Sequence, residues 1–434
     1  MKHIILLLSF VFLVLTAGFS QTISKNELLN QVSRDSLQAH INILAKAGGY
    51  FSRVNYTPGN KFAVNYLASY FHSLPGIDSV AIDTFFIYSA MAPYNKEPVM
   101  NIVAFKFGLQ QPEEIVICGG HYDASGSHES NWESDWQTIK AQGADDNATG
   151  TAAVMEMARI ISDPKNDIDT KRTIKFILFG AEEYHPVNPS VHHAGSLWDA
   201  DQSKEKRLNL YGALILDMIG YNPNTNYCEV ISNNTSLWMT ETIYQNRSQF
   251  VSDLQMNSTP VDVPYSDHQS YQDFGYSAIL LMENDRPWND DYPNYTANPY
   301  YHSTQDKPET VNFEQVKLVT QLALASLLDY AGMDTTTAIT KHIVKTIPDN
   351  FNLKAFPNPF NARLKISFTS QNQALTIQIF NAAGELVETL AQNQHFSAGN
   401  QFLTWQANRF ASGLYVVQLT GKNFRINKKV VLLK

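Results

Sequence analysis

Cysteine is almost absent from these 434 residues, with Cys118 and Cys228 the two present. That excludes a disulfide scaffold and a Cys-rich zinc module, so any bound metal must be held by histidines and carboxylates. Charge is scarce too, at 17% of residues against ~25% in an average soluble domain. The 32 basic and 41 acidic residues give a net charge of −9, and no Lys/Arg cluster is long enough to track a phosphate backbone. A nucleic-acid partner is therefore not expected. Beyond the first twenty residues no run is apolar enough to cross a membrane. What is present is a 44% hydrophobic fraction, too high for disorder, and a length that suits two to three domains at ~150 residues each.

The chain ends differ from its middle. Met1-Lys2-His3 precedes an apolar run from Ile4 to Ala17, then Gly18 and Ser20. A basic head, a short apolar middle and small residues before the cleavage point predict a signal peptide over residues 1–20, and hence export through the periplasm. At the other end, a Thr/Lys-rich stretch at 334–349 reads as a linker, followed at 350–434 by short β-like runs with glycines at 384, 399, 413 and 421. These runs predict a small all-β sandwich. Within it stand Phe356-Pro357-Asn358-Pro359-Phe360-Asn361, the hairpin Ile379 to Glu385, Ser412-Gly413-Leu414-Tyr415 and the closing Lys428 to Lys434. Those motifs, in that order, resemble the C-terminal sorting domain of the bacterial type IX secretion system. The resemblance implies handling by that machinery, an extracellular or cell-surface location and removal of the domain.

Residues 21–333 form the catalytic candidate. Apolar runs at Ile115–Cys118, Ile174–Phe179, Ala213–Leu216 and Ala278–Met282 alternate with helical patterns such as Thr151–Ile161. Continuous apolar strands interleaved with helices predict an α/β fold, a mixed, mostly parallel sheet sandwiched by helices. Ligands in such sheets bind beyond the carboxyl ends of the strands. At those ends the sequence puts His121, Asp123, Glu182, Glu183 and Asp217. Crowding so many carboxylates without a cation would be costly. The polar loop Gly143 to Gly150 precedes a helix that Asn147 can cap, yet capping needs no pair of aspartates behind it. Another long loop brings His302. A two-ion zinc site sharing one carboxylate needs about five protein ligands. His121, Asp145, Glu183, Asp217 and His302 supply that set, with Glu182 left over to act as a base.

Six motifs carry a more specific likeness: Gly-Gly-His-Tyr-Asp at 119–123, Gly-Ala-Asp-Asp-Asn-Ala-Thr-Gly at 143–150, Ala-Glu-Glu at 181–183, Leu-Asp-Met at 216–218, Ser-Asp-His at 266–268 and Tyr-His-Ser-Thr-Gln-Asp at 301–306. In this order they resemble metallopeptidase family 28, the di-zinc aminopeptidases. The resemblance implies that Asp145 bridges two zinc ions, that His121 and Asp217 complete one site, and that Glu183 and His302 complete the other. It further implies that Glu182 is the general base and that Asp123 orients His121. Peptides would be the substrates, trimmed from a free N-terminus with the help of a bridging water.

Other residues are expected to do less. His192 and His193 read as surface positions on the loop after Glu183, His185 as loop, and His268 as a substrate-pocket candidate. Competing functions are a single-zinc glutaminyl cyclase of the same fold, a non-catalytic ectodomain, and a carboxypeptidase using Arg286 for the substrate carboxylate. The ectodomain would need gaps in the ligand set, and there are none.

Overall fold

The computed structural model describes residues 23–259, 263–333, 353–381, 384–421 and 424–434. The expected signal peptide (1–20) and linker (334–349) lie outside them.

Eight strands form one sheet: β1 (Ser79–Phe86), β2 (Pro98–Lys106), β3 (Gln111–His121), β4 (Arg172–Phe179), β5 (Asn209–Leu216), β6 (Tyr227–Ser232), β7 (Gln255–Thr259) and β8 (Ala278–Met282), in the spatial order β1-β2-β4-β3-β5-β8-β6-β7. The central four, β4, β3, β5 and β8, run mutually parallel, so their carboxyl ends share one edge. The outer pairings β1–β2, β2–β4 and β6–β8 are antiparallel. The predicted mixed, mostly parallel sheet is thus the one observed.

Strand alternation explains why these runs looked uniformly apolar. Val116, Cys118, Phe176, Leu178, Leu214, Leu216, Ile279 and Leu281 pack into one buried cluster on one face. Their neighbours Ile115, Ile117, Ile177, Phe179, Ala213, Ile215, Leu280 and Met282 pack into another on the opposite face. Successive side chains point to opposite faces, so a strand covered on both sides must be apolar throughout. Cys118 and Cys228 are buried, free thiols within this packing.

Two helices matter most for the site. The first, α1 (Ala148–Ser162), is capped by Asn147, whose side chain accepts from the Gly150 amide at 2.8 Å. The same side chain donates to the Leu216 carbonyl at 2.9 Å, tying the helix start to the end of β5. The second, α2 (Ala194–Glu205), starts just after His193.

The described residues between 354 and 432 form two antiparallel sheets of three and four strands around Leu364, Ile366, Phe368, Ile377, Trp405, Val417 and Val430. This is the expected sandwich. Phe380 stacks on Phe107 of the larger unit with ring centroids 5.0 Å apart, and Asn427 donates to Asp78 at 2.6 Å.

Candidate functional site

The strand ends gather a buried group of carboxylates and imidazoles. His121 closes β3, Glu182 and Glu183 follow β4, and Asp217 follows β5. Asp146 comes from the loop before α1 and His302 from the loop beyond β8. His121 Nε2 lies 3.2 Å from Asp217 Oδ1 and 3.3 Å from Asp146 Oδ1. His302 Nε2 lies 2.9 Å from Glu183 Oε2 and 3.2 Å from Asp146 Oδ2. The two oxygens of Asp146 are therefore divided between two imidazoles, each with a second carboxylate beside it.

The expectation for Asp145 is corrected by this arrangement. Its Oδ1 accepts from the Gly220 amide at 2.8 Å and its Oδ2 from Asn298 Nδ2 at 3.0 Å, both on the far side of the loop. Burial and the nearby Glu283 carboxylate push the Asp145 carboxyl well above its ordinary range. The physical cause is backbone clamping. Asp306 accepts from the amides of both Asp145 and Asp146, at 2.9 and 3.0 Å, while Arg53 donates to the Gly143 carbonyl at 2.8 Å and to that of Gln142. With the backbone fixed, the adjacent side chains diverge, and Asp146 is the one that faces the imidazoles.

The remaining expected residues are placed as follows. Asp123 Oδ1 sits 3.6 Å from His121 Nδ1, and its carboxylate also accepts from the amides of Glu182 (3.2 Å) and Glu183 (3.3 Å). Asn55 donates to it at 2.8 Å. Asp217 is steadied by Ser266 Oγ at 2.8 Å. Glu182 Oε2 is 3.9 Å from His121 Nε2, whereas its Oε1 is 3.1 Å from His193 Nε2. His302 also accepts or donates through Nδ1 to Ser127 Oγ at 2.8 Å, with the Tyr301 ring stacked at 3.7 Å.

His268 does not join the site. It opens a short helix (His268–Asp273), is fully buried and is absent from the cavity wall, so the pocket expectation fails. Burial, and then the nearby His193, push its imidazole down to about 3, leaving a neutral ring. His192 is exposed, as expected, and also lines the cavity, whereas His193, expected on the surface, is largely shielded along the same wall. The local sequence Val191-His-His-Ala-Gly carries no ligand spacing that could have revealed this.

Does this donor set suit a cation? Burial, and then the Asp146 charge, raise Glu183 well above the ordinary carboxylate range. Burial likewise raises Asp217 despite His121 opposite it. Burial alone would lower His121 and His302, but the facing carboxylates outweigh it and hold His302 up at about 10. Glu183 Oε1 is buried without a hydrogen-bond partner. An excess of buried negative charge, with an orphaned carboxylate oxygen, is what a divalent cation would relieve. His121, Asp146 and Glu183 each offer an atom to one such place, all within 4.8 Å of one another. Imidazole and carboxylate together fit zinc.

Backbone strain gathers at the same edge. Ala181, His193, Met218 and His302 all hold left-handed conformations, with φ of 57°, 54°, 44° and 54°. Non-glycine residues stay there only where the surroundings hold them, which is common at functional sites.

Above the cluster opens a cavity of about 430 Å³. Met218, Met282, Pro264, Tyr265, Trp288 and Tyr301 give it an apolar wall, and its lining holds no lysine or arginine among the described residues. Arg286 is exposed and stands outside that lining.

Comparison with known proteins agrees with this reading. A probable zinc metalloprotease of Pyrenophora teres f. teres is 29% identical over 206 residues, covering 45% of this chain and 40% of the relative. The chain thus matches about two-fifths of that relative's length. The Legionella pneumophila LapA aminopeptidase shares the fold with a TM-score of 0.54 at 19% identity, over 71% of this chain and 74% of LapA. So does a glutaminyl cyclase from Fimbriiglobus ruber, with a TM-score of 0.53 at 19% identity, over 68% and 95%. Residues 354–433 match the secretion system C-terminal sorting domain, which directs proteins out of the cell. Residues 101–327, more than half of the chain, match the model of peptidase family M28 and contain every residue of the cluster just described, so the chain belongs to peptidase family M28.

Proposed function

We propose that this chain is a secreted di-zinc aminopeptidase, exported through the periplasm by the signal peptide and passed on by the type IX machinery. The observation that carries the two-ion reading is Asp146, whose oxygens lie 3.3 and 3.2 Å from His121 and His302. His121, Asp146 and Asp217 would hold one ion, and Glu183, His302 and Asp146 the other. When bound, such ions polarise the scissile carbonyl and lower the pKa of a water between them.

This chain's own residues do the rest. Glu182, turned toward His121 but not paired with His302, takes a proton from the attacking water and returns it to the leaving amine. Asp123 steadies His121 and, through two amides, the backbone of both glutamates. The apolar wall of Met218, Met282 and Trp288 suits a peptide with an uncharged first side chain. Absence of a basic group from the described lining weighs against a carboxypeptidase.

Because aminopeptidase and glutaminyl cyclase share this fold, fold alone does not separate them. A single-ion cyclase would need Asp146, Glu183 and His302 but not the His121–Asp217 pair, which is intact at 3.2 Å. The test is hydrolysis of an N-terminally free peptide beside its N-acetylated twin, with elemental analysis of the same protein. Cleavage of the free peptide alone, with about two zinc ions per chain, is expected. One ion, with ring closure of an N-terminal glutamine, would establish the cyclase instead.

A further inference from the structure

His193 stands where its sequence context gave no reason to expect it. Its backbone amide donates to the Glu182 carbonyl at 2.9 Å, and the Ala194 amide donates to the Ala181 carbonyl at 2.8 Å. These two bonds staple the start of α2 to the chain segment that carries the glutamates. His193 itself takes a left-handed conformation, φ 54°, which an L-residue keeps only when held. From there its Nε2 meets Glu182 Oε1 at 3.1 Å, while Glu182 Oε2 stays free of it and turns toward His121 at 3.9 Å. The ring is largely shielded, with 17% of the side chain exposed along the cavity wall.

We propose that His193 is the positioning residue for Glu182: its Nε2–H pins one carboxylate oxygen so that the other is presented to the water. This rests on the aminopeptidase reading and adds to it a residue that the ligand pattern does not contain. A glutamate has three rotatable bonds, and an acid next in sequence to a metal ligand can swing toward the same ion. A general base works only within hydrogen-bond reach of its proton. Displacement of a reacting group by ~1 Å can cost ~10²-fold in rate. A neutral imidazole suffices, because donation through Nε2 needs no positive charge.

The experiment uses the full chain, zinc-loaded, as wild type, His193→Ala, His193→Phe and His193→Gln. With an N-terminally free peptide, the Ala and Phe variants should lose about 10–10²-fold in kcat at nearly unchanged KM. Zinc content and Tm should match wild type. His193→Gln keeps an N–H donor and should recover most of the loss. An unchanged kcat in His193→Ala, a loss confined to KM, or a loss of zinc would overturn the proposal, as would a Gln variant no better than Ala. A second readout does not depend on turnover. In protein labelled with ¹⁵N-histidine, the His193 Nε2–H resonance should shift when Glu182 becomes Gln, and an unmoved resonance would overturn the pairing. A wild type that cleaves no N-terminally free peptide would instead overturn the aminopeptidase reading, and the resonance would still decide on His193.

Discussion

Two pairs of adjacent acids stand at this site, and they are built differently. Glu182 and Glu183 follow a strand, and both side chains turn into the cluster, one toward His193 and His121 and the other onto His302. Asp145 and Asp146 sit on a loop whose amides are clamped by Asp306, and they part company. Asp146 turns to the imidazoles, while Asp145 turns to a net of donors from Gly220 and Asn298. Past the end of β4 the left-handed Ala181, and Asp123 accepting from both glutamate amides, turn the two acids into the cluster together. The aspartate loop allots its side chains by whichever donors the rest of the fold brings up, so adjacency there says nothing about which acid faces the metal.

The largest effect should come from splitting the glutamate pair. Glu182→Gln keeps the side chain's shape but removes the proton acceptor, so kcat should fall ~10²–10⁴-fold with metal content unchanged. Glu183→Gln should instead lose metal, with activity returning as zinc is added. If Glu182→Gln lost zinc and Glu183→Gln kept it, the two roles would be exchanged. A smaller effect is expected at the carboxylate that serves both halves of that pair. Asp123→Ala removes the acceptor facing His121 Nδ1 and the one holding both glutamate amides, so zinc affinity should drop ~10–10²-fold in competition with a chelator. Unaltered affinity would mean that the strand ends hold themselves. The smallest effect on catalysis should follow deletion of residues 350–434, since every proposed ligand lies at or before residue 302. Hydrolysis should persist while secretion in the host fails. Uncovering Phe107 by removing Phe380 should lower Tm by ~2–4 °C for each kcal/mol of packing lost. Loss of activity in the folded truncated protein would show that the sandwich supports the site.

Much of this architecture was legible from residues alone. The buried strands declared themselves as short apolar runs, because each is covered on both faces, and their ends carried polar residues that a core has no use for. Hence the strand pattern alone gathers His121, Glu182, Glu183 and Asp217 at one edge. His302 needed the family pattern, since one loop histidine carries no signal. Three placements were not legible, each for a physical reason. The choice between Asp145 and Asp146 depends on Asp306 and Asn298, residues about 150 positions away in the chain. The role of His193 depends on a left-handed turn and two backbone bonds that no side-chain pattern announces. His268 sits in a motif beside the site, yet the fold buries its ring completely and leaves it out of the cavity lining, which a motif's spacing does not reveal.

The division of labour between the two aspartates is the claim on which the two-ion reading rests, and metal stoichiometry tests it directly. Asp145→Asn and Asp146→Asn change one atom each at neighbouring positions, and Tm checks that each variant stays folded. Elemental analysis of the purified chains should find about two zinc ions in wild type and in Asp145→Asn, and a clear deficit in Asp146→Asn. A full complement in Asp146→Asn, with the deficit in Asp145→Asn, would contradict the account.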